Sequence, residues 1–175
     1  MAIICETERL ILREFVEDDA GAFLRLNSDP LVTRYTGDKP PASLEEARTI
    51  LRDYPIADYG KYGFGRWAVI LKSTGELIGF SGLKYLDDLK EVDVGYRLLS
   101  AYWGIGLATE SARPAMAYGF GKLALERIIG LVEPENVASV KVLQKLGLSY
   151  IGKTEYRNNT VAKYALDRSD YLRTA

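Results

Sequence analysis

The stretch Tyr102–Ser111, with the sequence YWGIGLATES, constrains the fold more than any other part of the chain. A predicted strand precedes it and a predicted helix begins within it, so Gly104 and Gly106 lie in a strand-to-helix turn. The first turn of a helix has unpaired N–H groups and a partial positive charge, and glycines leave such a backbone open to a ligand. The turn therefore predicts a cradle for a phosphate or pyrophosphate. A tight turn that requires positive φ is the alternative.

Two nucleotide-binding motifs can be compared with this turn. The P-loop requires Lys and Ser/Thr directly after its last glycine, and Leu107 and Ala108 stand there instead. The dinucleotide fingerprint requires a third glycine where this chain has Thr109. Because Glu133 follows the next predicted strand, where an acidic residue would bind ribose, a dinucleotide-dependent enzyme remains an alternative.

Hydrophobic periodicity along the chain predicts one domain over residues 1–175, built on a single sheet. Ser43 and Glu46 form a capping-box pattern before one helix, and Asn136 is the predicted N-cap of another. The glycine-tyrosine segment 58–65 is predicted as a loop. Strands are predicted over 7–15, 66–72, 77–86, 91–99, 127–133, 148–156 and 160–168, and helices over 17–29, 30–35, 44–54, 107–122 and 136–147.

Composition excludes several classes of function. The chain has no histidine, which excludes Ser-His-Asp and Cys-His catalysis and His-ligated zinc sites. The net charge is -1 without a basic block, so no nucleic-acid partner is expected. No apolar segment approaches the ~20 residues of a membrane span, so no membrane partner is expected. Cys5 is the single cysteine and has no partner for an internal disulfide, which fits a cytoplasmic location.

Four stretches together resemble the GNAT superfamily of N-acetyltransferases, and within it the Rim-type, ribosomal-protein N-acetyltransferase-like subfamily. In chain order they are TERLILREFVEDDA with DPLVTRYTG; EVDVGYRLLSAYWGIGLATES; ERIIGLVEPENVASVKVLQKLGL; and YALDRSDYL. The resemblance covers nearly the whole chain. One departure is Ala101, where the superfamily often has Gln or Arg. The implied fold is α+β (mixed α/β): a mostly antiparallel mixed sheet of about seven strands, splayed at its middle and flanked by about four helices.

The resemblance implies acetyl-CoA as co-substrate, with no metal. The pyrophosphate would lie on the backbone N–H groups of the glycine turn. The pantetheine arm would enter a gap between the strands EVDVGYRLL and RIIGLVE and bond to the first of them, while helix residues contact the cofactor beyond the gap. The residues implied in cofactor binding are Arg97, Leu98, Leu99, Gly104, Ile105, Gly106, Leu107, Ala108, Thr109, Asn136 and Ser139.

Acetyl transfer to an amine requires a base, because a lysine-type amine has a pKa of ~10.4 and an α-amine ~8. Asp93 is the predicted base, since relatives commonly carry Glu at this position; its shorter side chain favours a bridging water. An acidic residue on a solvated strand face is the other explanation, and Glu91 shares its side of the strand by the period of two. A backbone N–H within 94–97 is the candidate donor to the oxyanion.

Protonation of the leaving thiolate has two candidates. Ser139 is one, with a hydrogen bond within the helix turn as the alternative role of its hydroxyl; a tyrosine such as Tyr150 is the other. Tyr35, Trp67 and Tyr96 are predicted to bind the acceptor, with core packing as the alternative for the aromatics. Cys5 has no histidine to activate it, so direct transfer in a ternary complex is favoured over a covalent route.

The predicted function is therefore an acetyl-CoA-dependent N-acetyltransferase, acting as a monomer or homodimer. The acceptor could be a protein N-terminus, an amino sugar, a polyamine or an antibiotic, and the near-neutral net charge selects none of them. A non-catalytic acyl-CoA-binding sensor is the alternative function.

Overall fold

A computed structural model of the protein describes residues 1–174. Its centre is an eight-stranded sheet with the strand order β1-β2-β3-β4-β5-β6-β8-β7. Neighbouring strands are antiparallel except β5 and β6, which are parallel. The strands are β1 (Ile3–Glu6), β2 (Leu10–Arg13), β3 (Arg66–Leu71), β4 (Glu76–Leu86), β5 (Glu91–Leu98), β6 (Arg127–Val132), β7 (Ser149–Tyr156) and β8 (Asn159–Asp167).

Helices cover both faces of this sheet. Ser43 caps α3 as predicted, because its hydroxyl accepts the Glu46 N–H at 3.1 Å. A π-helical turn, Arg52–Ile56, joins α3 to α4; it contains Pro55, which has no N–H for the α-helical ladder. The helices are α1 (Ala20–Ser28), α2 (Pro30–Thr33), α3 (Leu44–Leu51), α4 (Ala57–Tyr62), α5 (Leu107–Ala117), α6 (Val137–Lys145) and α7 (Arg168–Thr174).

The fold class is confirmed, and four details are corrected. The sheet has eight strands rather than about seven, because the short strand Ile3–Glu6 was not predicted; its apolar run does not alternate. The predicted strand 7–15 pairs only over Leu10–Arg13. The predicted loop 58–65 is largely helical and ends at Gly63, whose φ of 76° is a typical C-terminal cap. Helices also outnumber the expected four.

The core lies on both faces of the sheet. One face packs Trp67, Leu83 and Val94 against α5, and Trp67 and Leu83 are fully buried. The other face packs Ala68 and Leu77 under α1 and α3. Burying a large apolar side chain contributes roughly 1.5–3 kcal/mol, so these two layers hold the central strands rigidly. Within residues 1–174, no helix is long and apolar enough to cross a lipid bilayer.

The sheet opens at its middle, as predicted. Strand β5 pairs with β4 along its whole length, from Glu91 to Leu98. On its other side it pairs with β6 at a single position, Asp93 with Ile129. Beyond Asp93 the two parallel strands diverge, and a groove of about 1000 Å³ passes between them. This groove connects the glycine turn to the face of the sheet under α1 and α3.

A candidate active site between two diverging strands

The glycine turn has the geometry that a phosphate cradle requires. Gly104 and Gly106 have φ values of 76° and 85°, which favour glycine. Gly106 is the N-cap of α5 and provides no side-chain cap, so the N–H groups of Leu107, Ala108 and Thr109 have no partner from it. A Cβ on Gly104 would meet nothing within 4 Å. Positive φ and open space therefore occur together, and the backbone of this turn fits an anionic diphosphate.

A partly buried carboxylate, Glu110, holds this turn in place. Glu110, in the first turn of α5, accepts hydrogen bonds from the Thr7 hydroxyl (2.6 Å), the Arg9 N–H (2.9 Å) and the Arg9 Nε (2.7 Å). Burial alone would raise the pKa of Glu110, but these donors outweigh it and lower that pKa. Arg9 also donates to the Ile105 carbonyl at 2.9 Å. The segment before β2 thus fixes the turn and keeps a cation beside it.

The remaining residues predicted to bind the cofactor divide into two groups. Those that line the groove are Arg97, Leu98, Gly104, Gly106, Ala108, Thr109, Asn136 and Ser139. Leu107 is buried in the core and Ile105 is 55% exposed, and neither of them lines the groove. The N–H of Leu99 is already bonded to the Ile78 carbonyl at 2.8 Å.

Asp93 lies where β5 and β6 begin to diverge, and it is only 7% exposed. Its Oδ2 accepts from Arg66 Nη2 at 2.5 Å, and Arg66 Nη1 donates to the Gly82 and Asp93 carbonyls. Its Oδ1 accepts the Leu131 N–H of β6 at 3.3 Å. The Asp93 carboxylate therefore accepts the hydrogen bond of the Leu131 N–H. Because the strands diverge here, this N–H has no backbone acceptor on β5. Asp93 is not the solvated surface acid that the alternative explanation required.

Two glycines make room for Arg66 above the sheet. Arg66 pairs with Gly82, and Gly82 pairs with Gly95, so the side chain crosses two positions that have no side chain of their own. A Cβ on Gly95 would lie 2.3 Å from Arg66 Nη2. The glycine in the EVDVGYRL strand is therefore needed for the Arg66–Asp93 ion pair.

The electrostatics of Asp93 combine opposing effects. Burial raises the pKa of Asp93, while the charge and hydrogen bond of Arg66 and the Leu131 N–H lower it; burial is the largest of these effects. A carboxylate whose pKa lies above its ordinary value is closer to the range in which proton transfer at neutral pH is efficient. Its oxygens already have partners, so a water must connect it to an incoming amine.

Tyr96 and Ser139 meet across the divergence. The Tyr96 hydroxyl, on β5, donates to the Ser139 backbone carbonyl on α6 at 2.8 Å. The Ser139 N–H donates to the Asn136 side chain, which caps the helix. Burial raises the pKa of Tyr96 above its ordinary value. Among residues 1–174 the Ser139 hydroxyl makes no hydrogen bond, and Ser139 lines the groove.

One predicted residue, Trp67, and two alternatives that the sequence left open, Tyr150 and Glu91, do not line the groove. Trp67 is 1% exposed and packs edge-on against Tyr118 in the core, so it does not contact the acceptor. Tyr150 is 55% exposed and borders a separate, smaller cavity with Val137 and Tyr164. Glu91 forms an ion pair with Lys163, which leaves Asp93 as the carboxylate at the divergence point.

Tyr35 and Tyr96 line the groove, and their binding of the acceptor stays a prediction. Several groove residues were not predicted at all: Arg66, Lys84, Asp38 and Asp58. A signal existed for two of them, because Arg66 and Lys84 are charged residues within strands that are otherwise apolar. Lys and Arg are seldom buried without a partner, so each marks a charged partner or a ligand above the sheet.

Comparisons with known proteins agree with this geometry. The family model described as "Acetyltransferase (GNAT) domain" matches residues 9–149. The chain belongs to the GNAT acetyltransferase family. It is therefore an acyltransferase, and enzymes of the GNAT family use acetyl-CoA as co-substrate.

Individual relatives of this GNAT protein extend over most of its length. The N-acetyltransferase p20 of Bacillus licheniformis is 36% identical over 148 residues, which cover 83% of this chain and 82% of the relative. The N-acetyltransferase YoaA of Bacillus subtilis (strain 168) is 34% identical over 161 residues, 90% of each chain. The crystal structure of a GNAT-family acetyltransferase from Bacillus anthracis is 26% identical, with a TM-score of 0.78 over 97% of this chain and 99% of that one.

Proposed function

We propose that this protein transfers the acetyl group of acetyl-CoA to a primary amine by direct attack in a ternary complex. The observation that carries the proposal is the single pairing of β5 with β6 at Asp93. It produces a groove with a proposed anion cradle at one end and a buried carboxylate where the two strands begin to diverge.

The cofactor end fits a nucleotide diphosphate. The first-turn N–H groups of α5 would hold the pyrophosphate, and the positive end of that helix favours its charge. Arg9, fixed by Glu110 beside Gly106, adds a cation there. Lys141 and Lys145 of α6 line the same groove and suit further phosphate. When bound, acetyl-CoA would supply an acetyl group activated as a thioester.

The divergence of the strands would provide the chemistry. Asp93, with its pKa raised by burial, accepts the amine proton through a water. Residues 94–98 of β5 have no ladder partner on β6, so backbone N–H groups there are available to the oxyanion. Ser139 has a free hydroxyl at the groove and is the proposed donor to the leaving thiolate. Burial raises the pKa of the Cys5 thiol, which disfavours the thiolate that a covalent route requires.

The decisive experiment measures free-thiol release from acetyl-CoA with a panel of primary amines, together with acetyl-CoA binding by calorimetry. The variant Asp93→Asn keeps the shape of the side chain but removes the base. General base catalysis contributes typically 10²–10⁴-fold, so kcat should fall at least about 100-fold while the Kd for acetyl-CoA changes little.

A matched control is Asp167→Asn, because Asp167 also pairs with an arginine, Arg127, but at the exposed end of β6 and β8. This control should retain wild-type kcat. A near-normal rate for Asp93→Asn between pH 6 and 9 would remove Asp93 from the mechanism. Binding of acetyl-CoA without transfer to any amine would instead favour the non-catalytic sensor.

A further inference from the structure

The groove face under α1 and α3, called here the acceptor face, carries an unusual concentration of positive charge. Arg66 on β3, Lys84 on β4 and Arg97 on β5 share this side of the sheet by strand alternation and register. Arg157, from the turn between β7 and β8, joins them at the groove. The four lie close enough to affect one another: Arg66 and Arg157 both act on the pKa of Lys84 and on that of Arg97.

Three carboxylates share the acceptor face with these four cations. Asp93 pairs with Arg66. Asp38 is shared, because one oxygen binds Arg97 at 2.7 Å and the other binds Arg157 at 2.9 Å. The third carboxylate, Asp58, forms no ion pair within residues 1–174.

Lys84 is the one of these four cations that forms no ion pair within residues 1–174, and Asp58 and Asp93 act on its pKa without contacting its ammonium. Its ammonium lies 5.6 Å from the centre of the Tyr54 ring, and among residues 1–174 it has no carboxylate partner. Burial, assisted by the neighbouring Arg66 and Arg157, lowers the pKa of Lys84. Burial raises the pKa of Asp58, while the charges of Lys84 and Lys61 act in the opposite direction. A partly buried cation in this situation is best stabilised by an anion from outside the chain.

The acceptor face is also restricted in size. Asp38 belongs to the segment that follows α2, and its two ion pairs connect that segment to β5 and to the β7–β8 turn. Arg97 is further fixed by Asn27 of α1 at 2.5 Å. These contacts close the face between α1 and the hairpin, which favours a small acceptor over a folded protein.

We infer that the acceptor is a small primary amine that also carries an anionic oxygen group, a carboxylate or a phosphate, bound by Lys84 with Arg157 beside it. This inference rests on the proposed acetyl transfer and adds the substrate class. The anionic group binds the cations of the acceptor face while the amine extends toward Asp93. A polyamine, which brings several positive charges to the same face, is a poor acceptor.

The test uses matched pairs of amines that differ in the anionic group. O-phosphoethanolamine is compared with ethanolamine, and β-alanine with β-alaninamide; spermidine represents the polyamines. In the wild-type protein, kcat/KM should be at least about tenfold higher for the anionic member of one pair, in accord with a hydrogen bond to a charged group. The pair that shows the preference identifies phosphate or carboxylate as the recognised group.

The variant Lys84→Met retains the apolar stem and removes the charge. It should reduce the anionic preference about tenfold, through a higher KM for the anionic amine and an unchanged KM for its neutral partner. The quantity compared between wild type and variant is the ratio of kcat/KM for the anionic amine to kcat/KM for its neutral partner. Because both proteins receive the same two amines, the difference in basicity between the amines cancels. Lys153→Met removes an exposed charge of β7 that borders the separate cavity, and it should leave the ratio unchanged.

Failure of this inference can be separated from failure of the proposed function. If the protein binds acetyl-CoA and acetylates neutral amines at least as efficiently as anionic ones, the inference is overturned. The proposed acetyltransferase function is then still supported. The same holds if Lys84→Met keeps the full anionic preference. Calorimetry with O-phosphoethanolamine and β-alanine tests the inference without turnover. If either ligand binds wild type at least about tenfold more tightly than it binds Lys84→Met, the inference is supported. If each ligand binds the two proteins equally, the inference is overturned.

Discussion

Gly95→Ala tests whether the glycine of β5 exists to admit Arg66. The added Cβ would lie 2.3 Å from Arg66 Nη2 and 2.5 Å from its Cζ. Moving Nη2 from 2.3 Å to an ordinary contact of 3.4 Å requires a shift of about 1.1 Å. The atom that must move is the end of a flexible side chain, so β5 itself should stay in place while the 2.5 Å bond to Asp93 is lost or stretched.

The size of the effect follows from the burial of Asp93. Removing one partner of a buried ion pair costs about 3–5 kcal/mol, and leaving one charged hydrogen bond unmade costs about 1–3 kcal/mol. Arg66 is displaced rather than removed, so a loss of about 2 kcal/mol in the free energy of unfolding is expected. For a chain of this length, that corresponds to a decrease in Tm of about 4–8 °C.

The loss should depend on pH in a stated direction. Burial already raises the pKa of Asp93 above that of an aspartate in the unfolded chain, and losing Arg66 raises it further. Between the unfolded and the folded pKa the native state binds more protons, so stability falls as pH rises through that interval. Gly95→Ala widens the interval between the unfolded and the folded pKa of Asp93. The loss in free energy of unfolding is therefore smallest at a pH where Asp93 is protonated in both states, and it grows as the pH rises.

Urea unfolding of wild type and Gly95→Ala at pH 5 and pH 8 measures this. Gly21→Ala is the control, because Gly21 is helical and an added Cβ there meets nothing within 4 Å; it should be neutral or stabilising by up to about 1 kcal/mol. In an Arg66→Met background, Gly95→Ala should cost much less than in wild type. Additive losses in that double variant, or equal losses at both pH values, would refute the explanation.

Two further predictions concern single groups. Gly106→Ala places a Cβ on a backbone with φ of 85°, 3.5 Å from Arg9 Nη2. The distorted turn should weaken acetyl-CoA binding in calorimetry. Gly121→Ala is the control, because its Cβ would meet nothing within 4 Å, and it should leave that binding unchanged. Ser81 is fully buried and its hydroxyl has no hydrogen-bond partner within the described chain; Ser81→Ala should therefore raise stability by about 1 kcal/mol in urea unfolding, and a clear loss would contradict this.

Most of the fold could be predicted from local sequence patterns. The capping residue Ser43 and the strands β3 and β8 depend on nearby residues, and the structure confirms them. The prediction was wrong where tertiary context decides the outcome. Residues 58–62 contain glycine and tyrosine, which are weak helix formers, yet they continue the helix; Tyr59 is held there by a hydroxyl that donates to the Arg66 carbonyl at 2.5 Å.

The site was less predictable, because its important contacts join residues far apart in the chain. The glycine turn and Asp93 belong to one continuous segment, so the sequence could indicate them. The partner of Asp93 is Arg66, 27 positions away, and Asp38 meets Arg157 across 119 positions. Trp67 was predicted to bind the acceptor, with core packing as the alternative; strand alternation turns it away from the face of Arg66, and it packs in the core.

The divergence of β5 from β6 poses a physical problem that Asp93 addresses. When two parallel strands separate, N–H groups that would have joined the ladder lose their acceptors, and an unpaired buried N–H costs about 1–3 kcal/mol. Two residues beyond the single β5–β6 pair, the Leu131 N–H finds the Asp93 carboxylate instead. The buried charge that this requires is neutralised by Arg66, which in turn requires Gly95. The groove and the proposed base therefore have one origin: a carboxylate that takes the place of a missing strand contact lies where the two strands diverge, which is where the groove begins.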